Sequence, residues 1–482
     1  MDHRRPVCVA DAGDIEGAMT IQERVKNRKV GIIGMARSGL AAALLIVDQG
    51  GTPFLSDIGN ENDLTDSLKI LNENNIACEI GGHTEKLLES DFVMLSPGVP
   101  STIEIVQKIK KSGIPIFSEI ELSSWFCSGK IIAITGSNGK TTTTTLIGHI
   151  LKNAGLKAEV CGNIGRPFAE AVKHISKDGY AVVEVSSFQL ELIEEFAPHI
   201  ALILNLTPDH LDRYDSFESY KKAKYQITMN QKSSDYLILN AEDKVIIADN
   251  ITTLAEKKYF SHNRILPTGV YQRGESLVGF AEGKEKNIIE TAQIKIPGLH
   301  NLQNAAAASL TALLLNIKPE IIADTLKTFP GVEHRLENVG TVAGINFVND
   351  SKATNVDSVC YALRSLGTPI HLIAGGRDKG GDFRPIITHG KNSIKNIVLI
   401  GEARDKIFDQ LGKSFAVQFA DSMEEAVKKL FELASPGETI LLSPACASFD
   451  MYDNFEHRGK AFKEAVAALN NNDELNKTVK SE

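Results

Sequence analysis

The sequence contains no C-x-x-C pair and no group of histidines and cysteines at the spacing of a zinc site. Isolated cysteines are typical of free thiols in a reducing compartment. We therefore expect a cytoplasmic protein without disulfide bonds. The six cysteines are Cys8, Cys78, Cys127, Cys161, Cys360 and Cys446.

The chain also lacks long apolar runs and blocks of basic residues. Its longest apolar stretches, residues 40–47 and 304–317, are too short to span a bilayer. Residues 1–27 lack the apolar core of a secretory signal, and we expect them to form a mobile extension. With a net charge of −9 and no cluster of lysine and arginine, the sequence indicates neither nucleic-acid binding nor membrane insertion.

What the chain does contain is a glycine-rich turn in its first half. Residues 131–134 are apolar and mostly β-branched, and residues 135–142 (Thr-Gly-Ser-Asn-Gly-Lys-Thr-Thr) lead into a predicted helix. The backbone N–H groups of such a turn and the helix dipole favour a phosphate group, which Lys140 would reach. The hydroxyl of Thr141 or Thr142 would then contact Mg²⁺.

This turn departs from the general phosphate-loop pattern G-x-x-x-x-G-K-[ST], because Ile134 stands where the first glycine is expected. The alternative is an ordinary strand, turn and helix in which the Gly-Lys-Thr sequence has no function. The five consecutive threonines at 141–145 are poor helix formers, and they are easier to explain if some hydroxyls contact phosphate or metal. We therefore favour phosphate binding.

A second glycine turn lies near the N-terminus. Residues 30–39 predict a strand and a glycine turn before an apolar helix, and a second strand over 53–57 ends in Asp57. This is the layout of a dinucleotide-binding βαβ unit, whose acid binds a ribose or a base. Ala36 replaces the middle glycine of G-x-G-x-x-G, and its methyl group disfavours the pyrophosphate of NAD. Another nucleotide is therefore expected.

Polar residues lie in one strand, and directly after another, that are predicted downstream of the phosphate-loop candidate. Glu184 lies inside the apolar strand 181–185, where a carboxylate is costly unless it is paired or binds a metal, so it is a Mg²⁺-ligand candidate or a salt-bridged acid. A strand over 200–206 leads to Asp209 and His210, although a histidine alone is more commonly a surface residue.

Three further features of the central segment complete the candidate residues. The helix predicted over 220–227 carries Lys224, which could point back toward the strand edge of Asp209 and His210, although the pattern alone favours a solvated lysine. Ser186 is predicted to cap a helix. Asn301 and Asn304 share a helix face, where paired amides can read a base or cap the helix.

A chain of 482 residues is too long for one core, and its alternating strands and helices predict an α/β protein of about three domains. We expect an N-terminal Rossmann-like sheet, a central P-loop ATPase-type sheet and a C-terminal Rossmann-like sheet. The predicted segments are the extension 1–27, the domains 28–125, 126–330 and 331–470, and a polar tail at 471–482. Residues 329–332 (Phe-Pro-Gly-Val) mark the second boundary.

Several of these motifs together resemble the Mur ligase family, the ATP-dependent amide-forming enzymes of peptidoglycan synthesis, over residues 30–468. The motifs are the loop 135–142, the segment 184–190 (Glu-Val-Ser-Ser-Phe-Gln-Leu), the segment 205–212 (Asn-Leu-Thr-Pro-Asp-His-Leu-Asp), His300 and Asn301 with Asn304, and His334 with Arg335. In the last domain, residues 349–355, 443–450 and 455–459 resemble the member that adds D-glutamate, and the Asn-Pro-Arg motif of the diamino-acid-adding member is absent.

The resemblance implies the roles of individual residues. Those implied to be catalytic are Lys140, Glu184, His210 and Lys224. Those implied to hold ATP are Gly136, Ser137, Asn138, Gly139, Lys140, Thr141, Thr142, Asn301, Asn304, Arg335, Asp350 and Lys352. Those implied to bind the UDP-N-acetylmuramoyl-L-alanine substrate are Arg37, Ser38, Asp57, Gly98, Asn163, Ser186, Gln189 and His210. Those implied to bind D-glutamate are Thr354, Lys379, Ser448, Phe449 and Phe455.

The resemblance also implies two Mg²⁺ ions and ATP as co-substrate. It further implies a monomeric enzyme whose partners are small molecules. The implied metal ligands are Thr141, Glu184, His210 and, if it is carbamoylated, Lys224. Three rivals stay open. The first is a folate-polyglutamate ligase, which would not need the N-terminal nucleotide-binding domain, and the second is a P-loop switch or motor. The third is a nucleotide sensor or dehydrogenase, which rests on residues 30–57 alone.

Overall fold

The computed structural model describes residues 21–210, 213–281, 283–378 and 380–479. It separates into two compact units that divide between Phe126 and Cys127. Most of the predicted extension, residues 1–20, lies outside the described part. Its last residues are structured, since Ile21–Arg24 form a 3₁₀-helix and Val25 is fully buried.

The first unit contains a five-stranded parallel sheet in the order β3-β2-β1-β4-β5. The order reverses beside β1, and in such sheets ligands bind at the carboxyl ends of the strands near the reversal. The strands are β1 Lys29–Ile33, β2 Thr52–Ser56, β3 Ala77–Glu79, β4 Phe92–Leu95 and β5 Ile116–Ser118. The helices are α1 Arg37–Asp48, α2 Thr65–Glu73, α3 Glu104–Lys111 and α4 Glu119–Ser124, with a 3₁₀-turn at Glu85–Glu89.

The second unit begins with a nine-stranded sheet in the order β14-β13-β12-β11-β10-β9-β6-β8-β7. The pairs from β7 to β12 are parallel, and β12, β13 and β14 are antiparallel. The strands are β6 Lys130–Thr135, β7 Ala158–Gly162, β8 Tyr180–Glu184, β9 Ile200–Ile203, β10 Tyr236–Asn240, β11 Glu256–Ser261, β12 Val270–Arg273, β13 Ser276–Ala281 and β14 Lys284–Glu290. The helices are α5 Lys140–Asn153, α6 Phe168–Ala171, α7 Ser187–Leu190, α8 Phe217–Tyr225, α9 Lys244–Asp249, α10 Leu299–Leu314 and α11 Pro319–Thr328, with 3₁₀-turns at Val172–His174, Gln226–Thr228 and Thr291–Gln293.

The core of this sheet explains the position of the phosphate-loop candidate. Helix α5 packs on α10, whose buried alanines at 305–308 allow the two helices to approach closely. Ile132 and Ile134 of β6 contribute to the same core. Strand β6 lies between β8 and β9, so the turn that follows it is flanked by the carboxyl ends of both neighbours.

A third, six-stranded sheet completes the second unit in the order β15-β16-β20-β17-β18-β19, with β15 antiparallel to its neighbour and the other pairs parallel. The strands are β15 Glu337–Val342, β16 Ile345–Asn349, β17 Ile370–Gly375, β18 Ile394–Ile400, β19 Ala416–Phe419 and β20 Thr439–Leu442. The helices are α12 Val356–Ser365, α13 Pro385–Gly390, α14 Arg404–Leu411, α15 Met423–Leu433 and α16 Phe455–Val479. The three-sheet α/β fold predicted from the sequence is confirmed.

Several local predictions differ from the structure. Strand β9 ends at Ile203 instead of Leu206, and the structure contains a strand that was not predicted, β7 over Ala158–Gly162. Helix α16 continues into the segment expected to be a polar tail. Within the described ranges, no helix combines the length and apolar character needed to cross a bilayer.

Candidate active site

The glycine-rich turn between β6 and α5 requires glycine at Gly139. This residue has φ of 84°, a left-handed conformation that side chains disfavour. A Cβ added there would lie 2.4 Å from Oδ1 of Asn304 on α10. Gly136 is likewise at positive φ, 143°. The two glycines therefore allow the turn to bend tightly under a polar helix face.

Lys140, the first residue of α5, folds back over this turn. Its Nζ donates to the carbonyl oxygens of Gly136 at 2.8 Å and Ser137 at 2.9 Å. Ser137 is fixed in turn, because its Oγ donates to the Thr207 carbonyl at 2.9 Å and lies 3.0 Å from the Tyr220 hydroxyl. The turn thus holds an ammonium group on a constrained backbone, which is an arrangement suited to binding a polyphosphate.

A buried carboxylate faces the start of α5. Glu184, at the end of β8, is 1% exposed. Its Oε2 accepts from the Thr141 hydroxyl at 2.8 Å, and its Oε1 accepts from Nδ2 of Asn163 at 3.1 Å. Among the described residues, the buried Oγ1 of Thr142 has no hydrogen-bond partner. Carboxylate and hydroxyl oxygens are the ligands Mg²⁺ prefers, and an unpartnered buried hydroxyl fits such a ligand.

Lys224 lies beneath the same turn, so its prediction as a solvated lysine from the sequence pattern was wrong. The residue is 2% exposed, and its Nζ donates to the Gly136 carbonyl at 3.0 Å and lies 4.8 Å from the Tyr220 ring centroid. Burial, and then the positive charge of Lys140, hold the pKa of its ammonium well below the usual range. Lys224 points inward because it lies on the buried face of α8, together with Tyr220.

His210 lies at the same edge and is half-buried. Its backbone is left-handed, with φ of 56°. Its ring centroid is 4.8 Å from that of Phe188, and its Nε2 lies 3.8 Å from Oδ2 of Asp209. The imidazole is therefore held by aromatic and acidic neighbours. Leu211 and Asp212 of the same motif lie outside the described residues.

The two asparagines of α10 do share one helix face, as predicted. Nδ2 of Asn304 donates to Oδ1 of Asn301 at 3.2 Å, and the Thr143 hydroxyl donates to Oδ1 of Asn304 at 3.2 Å. Nδ2 of Asn301 donates to the Pro297 carbonyl at 2.8 Å. The pair therefore links the phosphate-loop helix to α10.

Asn304 borders a pocket formed between the two sheets of the second unit. The sequence identified part of its lining, namely Asn138, Gly139, Asn304, Arg335 and Asp350. No binding role was predicted for the aromatic and amide side chains that complete the wall, which are Phe260, His300, Gln303 and Tyr361. Of these, only His300 had a signal in the sequence, as part of a family motif with Asn301. Burial lowers the pKa of His300 to about 4, so its ring is neutral. Aromatic and amide surfaces of this kind suit a nucleotide base.

The domain of the third sheet contributes Arg335 and Asp350 to the lining of this pocket, and Lys352 follows them in the chain. Asp350 accepts from the Ser443 hydroxyl at 2.9 Å and the Leu336 backbone at 3.2 Å, and burial raises its pKa to about 6. Burial lowers the pKa of Lys352 to about 8, and its Nζ lies 4.7 Å from the Phe455 ring centroid. Nε of Arg335 is buried without a hydrogen-bond partner among the described residues. These residues can face a nucleotide held by the central sheet.

The residues expected to bind the UDP half of a substrate lie at the carboxyl ends of strands in the first unit. Asp57 follows β2, and its oxygens accept from the backbone of Met35 at 2.7 Å and of Gly59 at 2.8 Å. Arg37 is exposed at the first residue of α1, followed by Ser38, and Gly98 is exposed in the turn after β4. They therefore share one edge of that sheet.

The remaining expected substrate residues lie in the second unit. Ser186 caps α7 as predicted, in a capping box with Gln189, and Gln189 is 1% exposed. Among the residues expected to bind D-glutamate, Ser448 is buried, Phe449 is 63% exposed, and Thr354 and Phe455 are half-buried. Lys379 lies outside the described residues.

Comparisons with known proteins agree with this geometry. Three family models match in succession: the MurD N-terminal domain over residues 29–105, the Mur ligase middle domain over 134–312, and the Mur ligase, glutamate ligase domain over 334–446. The UDP-N-acetylmuramoylalanine--D-glutamate ligase of Alkaliphilus metalliredigens is 44% identical, covering 92% of this chain and 99% of its own. The protein of that name from Chloroherpeton thalassium is 40% identical, covering 93% and 99%.

Solved structures show the same fold at low sequence identity. A pseudomurein peptide ligase type C from Methanothermus fervidus matches with a TM-score of 0.59 at 20% identity, covering 92% of this chain and 100% of that chain. UDP-N-acetylmuramate-alanine ligase from Thermotoga maritima matches with a TM-score of 0.59 at 19% identity, covering 92% and 99%. With family models in all three domains and relatives above 40% identity along nearly its whole length, the chain belongs to the Mur ligase family.

Proposed function

We propose that this chain is an ATP-dependent ligase that joins D-glutamate to the alanine carboxylate of UDP-N-acetylmuramoyl-L-alanine in peptidoglycan precursor synthesis. The relatives' names supply the substrates. The observation that carries the proposal is the convergence of Lys140, Glu184 and Lys224 on one glycine-rich turn. A pocket suited to a nucleotide base adjoins that turn.

The reaction must overcome the poor leaving group of a carboxylate. The substrate carboxylate attacks the γ-phosphorus of ATP, the bond to the β-bridging oxygen breaks, and ADP leaves with its electron pair. The D-glutamate amine, after losing a proton from its ammonium form, attacks the acyl carbon, and phosphate departs from the tetrahedral intermediate. Lys140 opposes the charge on the transferring phosphoryl group throughout.

The donor set at the start of α5 fits a hard divalent cation. The buried carboxylate of Glu184 accepts from the hydroxyl of Thr141, and the next residue, Thr142, has a buried hydroxyl without a hydrogen-bond partner among the described residues. We propose that Thr141, Glu184 and His210 hold Mg²⁺, together with a carbamoylated Lys224, in a site for two ions. When bound, the metal supplies positive charge against the phosphate oxygens.

The environment of Lys224 suits the carbamate that the family resemblance implies. A lowered pKa leaves a larger fraction of its amine neutral near pH 7, and the neutral amine is the form that attacks CO₂. The nitrogen bonds to the carbon of CO₂, one C=O electron pair moves to oxygen, and the nitrogen releases a proton. The product is an anion at the buried position of Lys224, near the positive charge of Lys140.

The substrates are proposed to divide among the domains. Arg37, Ser38, Asp57 and Gly98 bind the UDP half, and Asn163, Ser186, Gln189 and His210 lie along its muramoyl-alanine end. Thr354, Lys379, Ser448, Phe449 and Phe455 frame D-glutamate. We further propose a monomer in the cytoplasm, and the lack of a disulfide bond among the described cysteines agrees with that compartment.

One assay tests the proposed function against its rivals. Phosphate release from ATP is expected only when UDP-N-acetylmuramoyl-L-alanine and D-glutamate are both present. Release with ATP alone would favour a P-loop switch, and release with dihydrofolate and L-glutamate would favour a folate-polyglutamate ligase. The proposal would be overturned if phosphate release did not require both UDP-N-acetylmuramoyl-L-alanine and D-glutamate.

A further inference from the structure

The side chain of Asn138 in the phosphate loop is held from another domain. Its Nδ2 donates to Oδ2 of Asp357 at 3.0 Å, and its Oδ1 accepts from the Ser358 hydroxyl at 2.9 Å. Asp357 and Ser358 belong to the first turn of α12, beside the third sheet. Both ends of the amide are therefore bonded across more than two hundred residues of sequence.

The central domain holds the main chain of the same residue. The Asn138 backbone N–H donates to Oδ1 of Asn205 at 2.8 Å, and Nδ2 of Asn205 donates to the Asn138 carbonyl at 3.0 Å. The central domain thus holds the main chain of Asn138, and the domain of the third sheet holds its side chain. We call Asn138, Asp357 and Ser358 the Asn138 clamp.

The two residues of α12 are themselves fixed at this boundary. The Asn355 side chain caps α12 by accepting from the Ser358 backbone at 2.9 Å, and its Nδ2 donates to Oδ2 of Asp209 at 3.2 Å. The Thr207 hydroxyl donates to Oδ2 of Asp357 at 3.2 Å, so the carboxylate accepts from two groups of the central domain. The clamp is part of a continuous polar contact.

The clamp borders the nucleotide pocket. Asn138 and Ser358 both line it, together with Asn304 from the central sheet and Arg335 and Asp350 from the third. The orientation of the Asn138 amide therefore helps to define the shape of the pocket. That orientation depends on groups that reach it from the third sheet's domain.

We propose that Asp357 and Ser358 are positioning residues that couple docking of the third sheet to nucleotide binding by fixing Asn138. The inference rests on the proposed function, because it takes the pocket to hold ATP. Coupling of this kind is reciprocal: if docking orders Asn138 for the nucleotide, the nucleotide strengthens docking by the same factor. The clamp would complete the phosphate loop only when the domain of the third sheet is docked on the central domain. An undocked enzyme would then form little acyl phosphate while water can still reach the site, and this limits hydrolysis of the intermediate.

The test measures the affinity of the full-length chain for a non-hydrolysable ATP analogue by titration calorimetry. Asp357→Ala and Ser358→Ala each remove one bond to Asn138 and are expected to weaken binding about tenfold. Asp357→Asn keeps an acceptor oxygen and is expected to stay within about threefold of the original chain. Affinity for UDP-N-acetylmuramoyl-L-alanine, whose UDP half is assigned to the first unit, is expected to be unchanged.

A matched control comes from the same domain. Asp405 lies in the first turn of α14 and is exposed, so Asp405→Ala removes the same chemical group from an equivalent helix position. It is expected to bind the analogue normally. Small-angle scattering adds a readout of docking: the analogue is expected to compact the original chain and the Asp405→Ala variant more than the Asp357→Ala and Ser358→Ala variants.

Two outcomes separate failure of the clamp from failure of the proposed function. If the original chain binds the analogue and Lys140→Ala abolishes binding, while Asp357→Ala and Ser358→Ala bind normally, the clamp is refuted and the function stands. If the original chain does not bind the analogue, both fall. Equal weakening by Asp357→Asn and Asp357→Ala, or parallel loss of UDP-substrate affinity, would also overturn the clamp.

Discussion

Two glycine turns of this chain have the same layout and different surroundings. Each follows the first strand of its sheet and leads into a helix: the first joins β1 to α1 and the second joins β6 to α5. In the first turn, the carboxylate of Asp57 accepts from the backbone of Met35 at 2.7 Å, and the helix begins with the exposed Arg37. In the second turn, the ammonium of Lys140 lies over the loop carbonyls.

The difference shows that the glycines set the backbone while neighbouring elements set the chemistry. Strand β2 delivers an acid to the first turn, and a carboxylate repels phosphate but accepts from the hydroxyl and N–H donors of a nucleoside. Strand β8 and helix α8 deliver Glu184 and Lys224 to the second turn. The first turn therefore suits a nucleoside, and the second suits phosphate with a cation.

The largest expected effect comes from removing the cation of the second turn. Lys140→Ala is expected to lower kcat by about 10²–10³-fold, because one preorganised group that opposes developing charge is lost. Lys152→Ala, an exposed lysine in the last turn of the same helix, serves as the control and is expected to leave kcat unchanged. Steady-state phosphate release measures both. Near-normal turnover of Lys140→Ala would remove this lysine from the chemistry.

A somewhat smaller loss, about 10²-fold in kcat, is expected for Lys224→Ala, because the proposed carbamate would be missing from the metal site. Short-chain carboxylic acids are expected to restore part of the activity by supplying a carboxylate. Lys222→Ala, on the exposed side of the same helix, provides the comparison and should be fully active. Normal activity of Lys224→Ala without added acid would argue against the carbamate.

The first turn is expected to affect binding instead of turnover. Asp57→Ala should raise KM for UDP-N-acetylmuramoyl-L-alanine about tenfold, since a charged acceptor contributes about 1.5–3 kcal/mol. KM for ATP and kcat should be unchanged. Asp66→Ala, an exposed acid in the first turn of α2, is the control. An equal change in KM for ATP would contradict the division of labour between the turns.

The smallest kinetic effect is expected away from both turns, at Glu438 before β20. Hydrogen bonds from Lys395, and then from His371 at 2.8 Å and the Ser435 backbone, lower the pKa of this carboxyl to about 2. Its contribution to folding stability is therefore present above the unfolded pKa of about 4.3 and is lost as pH falls through 2.

Urea unfolding at neutral and acidic pH measures this contribution. Glu438→Gln should be less stable than the original chain at pH 7, and the difference should shrink as pH approaches 2. Activity at pH 7 should be unchanged, since Glu438 precedes β20 while the candidate site follows its carboxyl end. A constant stability difference across this range would contradict the assigned pKa.

Local patterns predicted a large part of the site. The β-branched run before Gly136 predicted β6, and a spacing of three placed Asn301 and Asn304 on one helix face, where they are hydrogen-bonded. Such features depend on a few consecutive residues and on the fixed geometry of helices and strands. The family was also identified correctly from the sequence, because each of its motifs consists of a few consecutive residues.

Other features were beyond a local pattern. Helix α8 has several exposed polar residues, so nothing in its sequence distinguished the buried Lys224 from the exposed Lys222. Phe260 and Tyr361 line the proposed nucleotide pocket from distant segments. The bond between Asn138 and Asp357 spans 219 residues. These contacts depend on how whole sheets and helices pack.

The sequence by itself determined the strands, the glycine turns and the kinds of chemical groups available, because backbone conformation and residue chemistry act over a few neighbours. Only the tertiary structure decided which groups meet. It buried Lys224 under the phosphate loop and brought α12 to Asn138, because burial and long-range hydrogen bonds follow from packing the two sheets of the second unit together.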